Sequence, residues 1–214
     1  YNIHYIDNIY IMNSDLLGFI IICLIVILSY RIYRDSDFFH LKCIISNIDG
    51  NTYCVRERSK LELAADKLAK VNQNMKSLVE HCKNNFNNEE RIKRLTEGFN
   101  PKKITETLPT SEFTAYSENK GEKIAFCLDT EKNNKGRLID LNTLTFVAIH
   151  ELAHLMTASI GHTPEFWENM KYLLKVGIEL GVYKKEDYVN NPVRYCGVDI
   201  TNSPLEEFKC KLFF

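Results

Sequence analysis

The chain has 214 residues, of which 45% are hydrophobic and 26% are charged, with 9 Gly and 5 Pro. This composition is typical of a globular protein and excludes collagen-like chains, disordered chains and small disulfide-rich scaffolds. Lys and Arg number 27 against 28 for Asp and Glu, which gives a formal net charge of -1. Such a balance argues against direct binding to nucleic acid.

An apolar run lies near the N-terminus. The fifteen residues between Asp15 and Arg31 are uncharged. As a helix they would rise about 22 Å, against a bilayer core of about 30 Å. Extension toward the N-terminus and snorkelling of Arg31 and Arg34 would make up the difference. We therefore predict a short N-terminal segment over 1–15 and a transmembrane anchor over 16–33, with a cleaved signal peptide and a buried core helix as alternatives.

The charges around this run predict an orientation. Basic residues follow the run at Arg31, Arg34 and Lys42, whereas residues 1–15 contain none. The positive-inside rule then places the remainder of this single-pass chain on the cytoplasmic side of the membrane. The sequence leaves open whether the start residue is Tyr1 or Met12.

Cysteine usage agrees with that orientation. The cysteines are odd in number and have no C-x-x-C spacing, which indicates reduced, buried thiols in a cytosolic environment. They are Cys23, Cys43, Cys54, Cys82, Cys127, Cys196 and Cys210.

Turn signals and hydrophobic periodicity divide the soluble part into hairpins and helices. In chain order the predicted elements are strands 41–48 and 52–55 around Asp49-Gly50, helices 59–82 and 89–96, strands 112–117 and 123–128, a helix from about 142 to 159, and a helix that begins at Thr163. Helices and hairpins without repeated βαβ units predict an α+β domain. We assign this domain to 40–205 and a C-terminal tail to 206–214.

Residues 150–154 read His-Glu-Leu-Ala-His within an apolar, helical segment. Two histidines four residues apart lie on the same face of a helix, so both imidazoles can bind one zinc ion. Glu151 lies about 100° round the helix from His150, where its carboxylate can take a proton from a water activated by the metal. The pattern predicts a Zn²⁺ site with His150 and His154 as ligands and Glu151 as catalytic base.

The third ligand is predicted from the segment that follows. A catalytic zinc takes three protein ligands and keeps one position open. His162 follows a glycine and precedes Thr163-Pro164, a helix N-cap with proline at the first helical position. We therefore predict His162 as the third ligand; the alternatives on the next helix are Glu165, Glu168 and Glu179. Apolar residues of that helix are predicted to form the floor of the site: Phe166, Trp167, Met170, Leu173 and Leu174.

These residues carry a resemblance to a known group. His-Glu-Leu-Ala-His, seven residues, and then His-x-x-x-Phe-Trp resembles the WLM and SprT-like zinc peptidases. The similarity extends back through 49–56 and the Ala64-Ala65 helix and forward to 191–197, and it is closest to WLM-like proteins of large DNA viruses. It implies a zincin-like metallopeptidase fold with zinc ligands His150, His154 and His162 and catalytic base Glu151. The group is associated with proteolysis of DNA-bound proteins.

The leading prediction is therefore a membrane-anchored, zinc-dependent endopeptidase that acts on protein or peptide substrates. A zinc amidase would use the same chemistry on another amide; an exposed edge strand in the second hairpin would favour the peptidase, because it binds extended peptides. A non-catalytic interaction module, with Cys196 filling the fourth zinc position, and a WLM-type protease of DNA-bound proteins are the alternatives. Tyr195 and Arg194 are candidates for stabilising the oxyanion. The oligomeric state and the particular substrate are not predicted.

Overall fold

The computed structural model describes residues 3–36, 40–86, 88–132 and 137–206. Apart from residue 206, the predicted C-terminal tail lies outside the described residues, and so do Tyr1 and Cys210. The chain divides into two compact units, 1–40 and 41–214.

The first unit is one long helix. Helix α1 spans Ile3–Asp35 and has 33 residues. Within it, Leu16–Arg34 has a mean hydropathy of 2.4 and no side chain buried inside the protein. Nineteen residues rise about 28 Å, close to the thickness of a bilayer core. The structure therefore contains an N-terminal helix long and apolar enough to span a membrane, a test that a signal sequence also passes.

The second unit is an α+β domain, as the sequence predicts. Its elements are β1 (Leu41–Ile45), β2 (Thr52–Arg56), α2 (Leu61–Phe86), α3 (Glu90–Gly98), β3 (Ile104–Glu106), β4 (Ala115–Glu118), β5 (Lys123–Phe126), α4 (Leu141–Met156), α5 (Pro164–Glu179), β6 (Val193–Tyr195) and β7 (Val198–Ile200). Both predicted hairpins and all four predicted helices are present. The short strands β3, β6 and β7 are not predicted by the sequence pattern.

The main sheet is mixed. Its strand order is β1-β2-β3-β5-β4. The hairpin pairs β1–β2 and β4–β5 are antiparallel, whereas β3 runs parallel to both β2 and β5. Helices α2 and α3 form the connection between β2 and β3, which a parallel pair requires. As a result, β4 is an edge strand.

The first turn differs from the tight Asp49-Gly50 turn predicted from the sequence. The strands are joined by a loop over 46–51, in which the Ser46 N–H donates to the Asn51 carbonyl at 2.9 Å. The Asp49 carboxylate accepts the Asn51 N–H at 3.1 Å and the Tyr53 hydroxyl at 2.8 Å. Because these bonds organise a wider loop, β1 ends at Ile45 and not at residue 48.

The second hairpin packs directly on α3. Its turn residues Asn119 and Lys120 have φ angles of 46° and 54°, the left-handed conformation that a tight hairpin turn requires. A Cβ on Gly121 would lie 2.2 Å from the carbonyl oxygen of Gly98, so only glycine permits this approach. The contact seats the β4–β5 hairpin beside α4, where Leu155 covers the same glycine.

Helix α4 lies at the centre of the domain. It packs against α2, α3 and α5 and also reaches β4 and β5. The carboxylate of Asp140 caps its N-terminus by accepting the Thr143 N–H at 2.9 Å. The helix ends at Met156, earlier than the predicted residue 159, because Thr157 is extended with φ -89° and ψ 133°.

A buried arginine connects the segments that follow β3 and β5. Arg56 is 1% exposed. Its guanidinium donates to the carbonyls of Thr107 at 2.7 Å, Leu108 at 3.0 Å and Lys132 at 2.8 Å. The buried carboxylate of Glu106 supplies the opposite charge. Loss of the arginine would leave buried carbonyls without donors, which is costly.

Four cysteines form disulfides, so the prediction of reduced thiols is wrong. Cys43 and Cys54 are opposite each other in the β1–β2 ladder and are bonded. Cys127 and Cys196 are bonded across 69 positions of sequence, with Cα atoms 6.0 Å apart. The sequence spacing of neither pair predicts a disulfide. The partners come together only through the strand register in one case and the fold of the domain in the other.

We expect Cys196→Ser to lower the free energy of unfolding by about 4 kcal/mol, since the closed loop is long. Urea denaturation of the full-length protein in detergent measures the change, and Cys23→Ser is the control because Cys23 is a free cysteine in the other unit. Alkylation of the unfolded, non-reduced protein should leave the four paired cysteines unlabelled. Labelling of all seven would contradict the assignment.

Candidate metal centre

Helix α4 carries His150 and His154 on one face. All side chains over 143–149 are buried, so the core holds this part of the helix firmly. The rings of both histidines remain partly exposed. The open face of the helix is therefore the one that bears the two imidazoles.

His162 lies in the corner between α4 and α5. Gly161 has a φ of 86°, a left-handed conformation that glycine adopts without strain. Thr163 caps α5 by accepting the Phe166 N–H at 3.4 Å, and Pro164 is the first helical residue. The corner that the sequence predicts is thus present, and it turns His162 back toward α4.

Two polar residues that the sequence analysis missed hold this corner. Arg94 on α3 donates to the Met156 carbonyl at 3.0 Å and pairs with Glu165 at 3.2 Å. Asn169 on α5 donates to the Thr157 hydroxyl at 3.0 Å and is 2% exposed. Arg94 comes from a separate helix, and nothing in the local sequence links it to the corner.

The three imidazoles converge. The Nε2 atom of His150 lies 3.2 Å from that of His154 and 3.1 Å from that of His162. Ligand atoms of all three lie within 4.8 Å of one another. Nitrogens bound at 2.0–2.1 Å to a tetrahedral zinc are about 3.4 Å apart, so the observed spacing fits such an ion.

The electrostatics of the cluster also fit a cation. Burial is the largest influence on each ring, and it lowers the pKa of His150 to about 3 and that of His154 to about 4. The pKa of His162 is lowered for the same reason. All three rings are therefore neutral at neutral pH, the form in which imidazole ligates metals.

Glu151 lies beside the cluster and lines the same cleft. Glu151 is buried, with 5% of its surface exposed. Burial disfavours the charged carboxylate and raises the pKa of Glu151 to about 8. The helix thus directs a carboxyl group into the cleft one residue after the first histidine, as the motif predicts.

Phe166 forms the floor under the histidines. Its ring centroid lies 4.8 Å from that of His150, 4.3 Å from that of His154 and 4.7 Å from that of His162. Trp167 stands beside His162, with centroids 5.5 Å apart. Met170, Leu173 and Leu174 continue this face of α5 into the core.

The alternative third ligands lie elsewhere. Glu165 is held by the Ala158 N–H at 3.2 Å and by Arg94. Glu168 and Glu179 are exposed on α5. Among the described residues, the grouping of ligand atoms that could hold a metal is that of the three histidines.

A cleft of about 910 Å³ opens over the cluster. The cleft is lined by the edge strand β4 with the residues before and after it, and by the corner over 159–162. The β6–β7 hairpin contributes Tyr195, Val198 and Ile200. The three histidines and Glu151 therefore lie in a groove that the edge strand β4 also lines.

Neither candidate for oxyanion stabilisation is free in this conformation. Tyr195 is 2% exposed, and its hydroxyl donates to the Thr114 carbonyl at 3.2 Å. Arg194 is paired with Glu131 at 3.1 Å and with Asp199 at 3.2 Å. The hydroxyl of Tyr195 has one proton to donate, and it is already used in the hydrogen bond to the Thr114 carbonyl.

Fold and site together define an α+β protein with a three-histidine cluster in a cleft. The chain is 31% identical over 201 residues to the "uncharacterized protein R325" of Acanthamoeba polyphaga mimivirus, an alignment that covers 92% of this chain and 98% of the relative. The chain belongs to the same protein family as that viral protein.

Two further viral proteins match in part. Protein 042R of Invertebrate iridescent virus 3 is 37% identical over 101 residues, 47% of this chain and 57% of the relative. Protein 136R of Invertebrate iridescent virus 6 is 34% identical over 76 residues, 35% of this chain and 41% of the relative. No family model matches the chain, and no solved structure matches it significantly.

We predict that the full-length protein binds one zinc ion per chain and that His162→Ala weakens the affinity more than about 100-fold, because loss of a ligand costs more than loss of a residue that merely orients one. Elemental analysis and competition with a chromogenic chelator measure this. The control is His81→Ala, a histidine on α2 outside the cluster. Full occupancy in His162→Ala would transfer the ligand role to another residue.

Proposed function

We propose that this protein is a zinc-dependent endopeptidase, similar in type to the WLM and SprT-like peptidases and with a zincin-like fold. The observation that carries the proposal is the convergence of three neutral imidazoles beside a buried glutamate, in a cleft that the edge strand β4 lines. His150, His154 and His162 would hold the zinc ion. When bound, zinc would polarise a substrate carbonyl and acidify a water molecule.

Glu151 would move the proton. Burial alone favours the neutral acid, and the positive charge of a zinc ion held by the three histidines would favour the carboxylate instead. This carboxylate would take a proton from the attacking water as the water oxygen bonds to the carbonyl carbon. It then delivers this proton to the leaving nitrogen as the C–N bond breaks. One amide and one water yield a carboxylic acid and an amine, and Glu151 returns to its initial state.

The edge strand favours a peptide over another amide. One side of β4 pairs with β5 over Ala115–Glu118, and three residues of this edge strand line the cleft: Ala115, Tyr116 and Ser117. An extended chain bound along such an edge pairs with the strand through backbone hydrogen bonds. Those bonds would align a polypeptide beside Glu151 whatever the side chains of the polypeptide are. They therefore support a peptidase over an amidase that acts on small molecules.

The disulfide weakens the case for a purely structural zinc site. A structural site fills the fourth position with a cysteine or histidine. Cys196, the candidate for this role, is bonded to Cys127 and has no thiolate to offer. The balanced charge of the chain gives no support for direct DNA binding, so action on DNA-bound proteins would require another means of recruitment.

We propose that α1 anchors the peptidase domain to a membrane, with the domain on the cytoplasmic side. The basic residues Arg31, Arg34 and Lys42 on the C-terminal flank support this orientation. The two disulfides argue against it, because such bonds persist mainly in oxidising compartments. The charge rule concerns topology directly, whereas the thiol state also depends on the oxidants present.

Glu151→Gln is expected to reduce peptide hydrolysis by about 10² to 10⁴, because the amide keeps the size of the side chain but accepts no proton. Zinc content and thermal stability should change little. Turnover of a quenched fluorescent peptide library by variant and wild type at matched metal content tests this. Near-wild-type turnover by the variant would show that the base lies elsewhere.

Protease protection of the full-length protein with a C-terminal tag in sealed microsomes tests the orientation. The cytoplasmic face of these vesicles points outward, so added protease should remove the tag without detergent. A tag that becomes sensitive only after detergent is added would reverse the topology and agree with the disulfides.

A further inference from the structure

One part of the cleft is apolar. It is built by two residues of α4 and two of β7, which together we call the apolar wall: Phe146, Val147, Val198 and Ile200. These residues line the same cleft as the three histidines. The positions of Phe146 and Val147 relative to the histidines follow from helical geometry.

Phe146 and Val147 precede His150 by four and three residues. On a helix such residues are neighbours on one face, with Cβ atoms about 5–6 Å apart. The two side chains therefore stand about one turn from the first histidine, and Val147 is also four residues before Glu151. They are largely buried, with exposures of 6% for Phe146 and 8% for Val147.

The β6–β7 hairpin supplies the other half of the wall. Val198 and Ile200 are two apart on β7 and share a face, and Tyr195 is the register partner of Val198. Cys196 in the turn is bonded to Cys127, and its N–H donates to the Asp129 carbonyl at 3.0 Å. The wall is thus attached to the body of the domain before any substrate binds.

The β7 part of the wall exposes apolar surface that the fold itself does not cover. Val198 is 50% exposed. Two further exposed apolar residues line the cleft, Phe113 at 64% and Ile160 at 92%. Apolar surface open to water in a cleft is typical of a site that gains free energy when a ligand covers it.

Charged groups do not interrupt the wall. Apart from the histidines, the acidic and basic side chains among the described residues of the cleft are Glu112, Lys120 and Glu151. Glu112 and Lys120 flank the β4 side, and the Lys120 ammonium donates to the Ala158 carbonyl at 3.0 Å. A charged substrate side chain packed against the apolar wall would therefore lose water without gaining a hydrogen bond or an opposite charge from the four wall residues.

We propose that the apolar wall is a specificity subsite, which binds a large apolar side chain, such as Leu or Phe, on the substrate residue next to the cleaved bond. This rests on the proposed peptidase function. Backbone pairing with β4 aligns the chain, and the wall selects the residue. Such residues are buried in folded proteins, so the substrate class is unfolded or locally opened polypeptide that exposes apolar segments.

The test uses four peptides of identical Ala and Gly background, each with Leu, Phe, Asp or Lys at one central position, and the full-length zinc-loaded protein in detergent. We expect kcat/KM for the Leu and Phe peptides to exceed that for the Asp and Lys peptides by roughly 10- to 100-fold. Mass spectrometry should locate cleavage at a bond adjacent to the variable residue. Equal rates for all four, or a preference for Lys, would overturn the subsite while leaving the peptidase intact.

Val198→Lys places a positive charge on the wall. It should lower kcat/KM for the Leu peptide at least about tenfold and raise that for the Asp peptide relative to it, a change of preference that misfolding cannot produce. The control is Val189→Lys, since Val189 is 56% exposed and lies outside the cleft lining. An unchanged preference in Val198→Lys would contradict the assignment.

A binding measurement separates this inference from the proposed function. The Kd values of the same peptides for the Glu151→Gln variant, measured by fluorescence anisotropy, should be at least about tenfold lower for Leu and Phe than for Asp and Lys. If the zinc-loaded wild type cleaves none of the peptides, the peptidase proposal fails, and this binding difference still supports the wall. Equal Kd values would remove the wall as a binding subsite.

Discussion

Helix α4 has to be buried on nearly every side and yet present one polar face to a cleft, and the surrounding elements follow from this constraint. Helices α2, α3 and α5 and the β4–β5 hairpin cover its apolar sides. The face of His150 and His154 is left open. Because the rest of the helix is fixed by core packing, the two imidazoles have little freedom, which is the preorganisation that a metal site needs.

The third imidazole is positioned by polar contacts, whereas core packing positions the first two. His162 lies in a turn, and its position depends on the polar contacts of Arg94, Thr157 and Asn169 around the α4–α5 corner. Burial keeps the three rings neutral, so their nitrogen lone pairs are available to a cation. The cleft combines this cluster with the edge strand β4 and with apolar side chains, the combination on which the proposed binding of an extended polypeptide rests.

The sequence predicted well what depends on local pattern. Helical periodicity located α2 and α4, and the N-cap at Thr163 with Pro164 located the start of α5. The sequence pattern does not predict features whose partners are distant in sequence, namely the parallel strand β3 and the bond between Cys127 and Cys196. The predicted tight turn at Asp49-Gly50 is instead a longer loop, because the Asp49 carboxylate accepts hydrogen bonds from Asn51 and Tyr53. The convergence of the histidines followed from helix geometry and a turn, whereas the contacts that fix the turn carried no sequence signal.

X-ray absorption at the zinc edge of the full-length protein tests the central claim most directly, because it counts and identifies the atoms around the ion. Three imidazole nitrogens and one oxygen at about 2.0 Å, with no sulfur, are predicted for a three-histidine site that keeps an open position. His162→Ala should lose one imidazole contribution. Sulfur scattering at about 2.3 Å, or a spectrum unchanged in His162→Ala, would contradict the account.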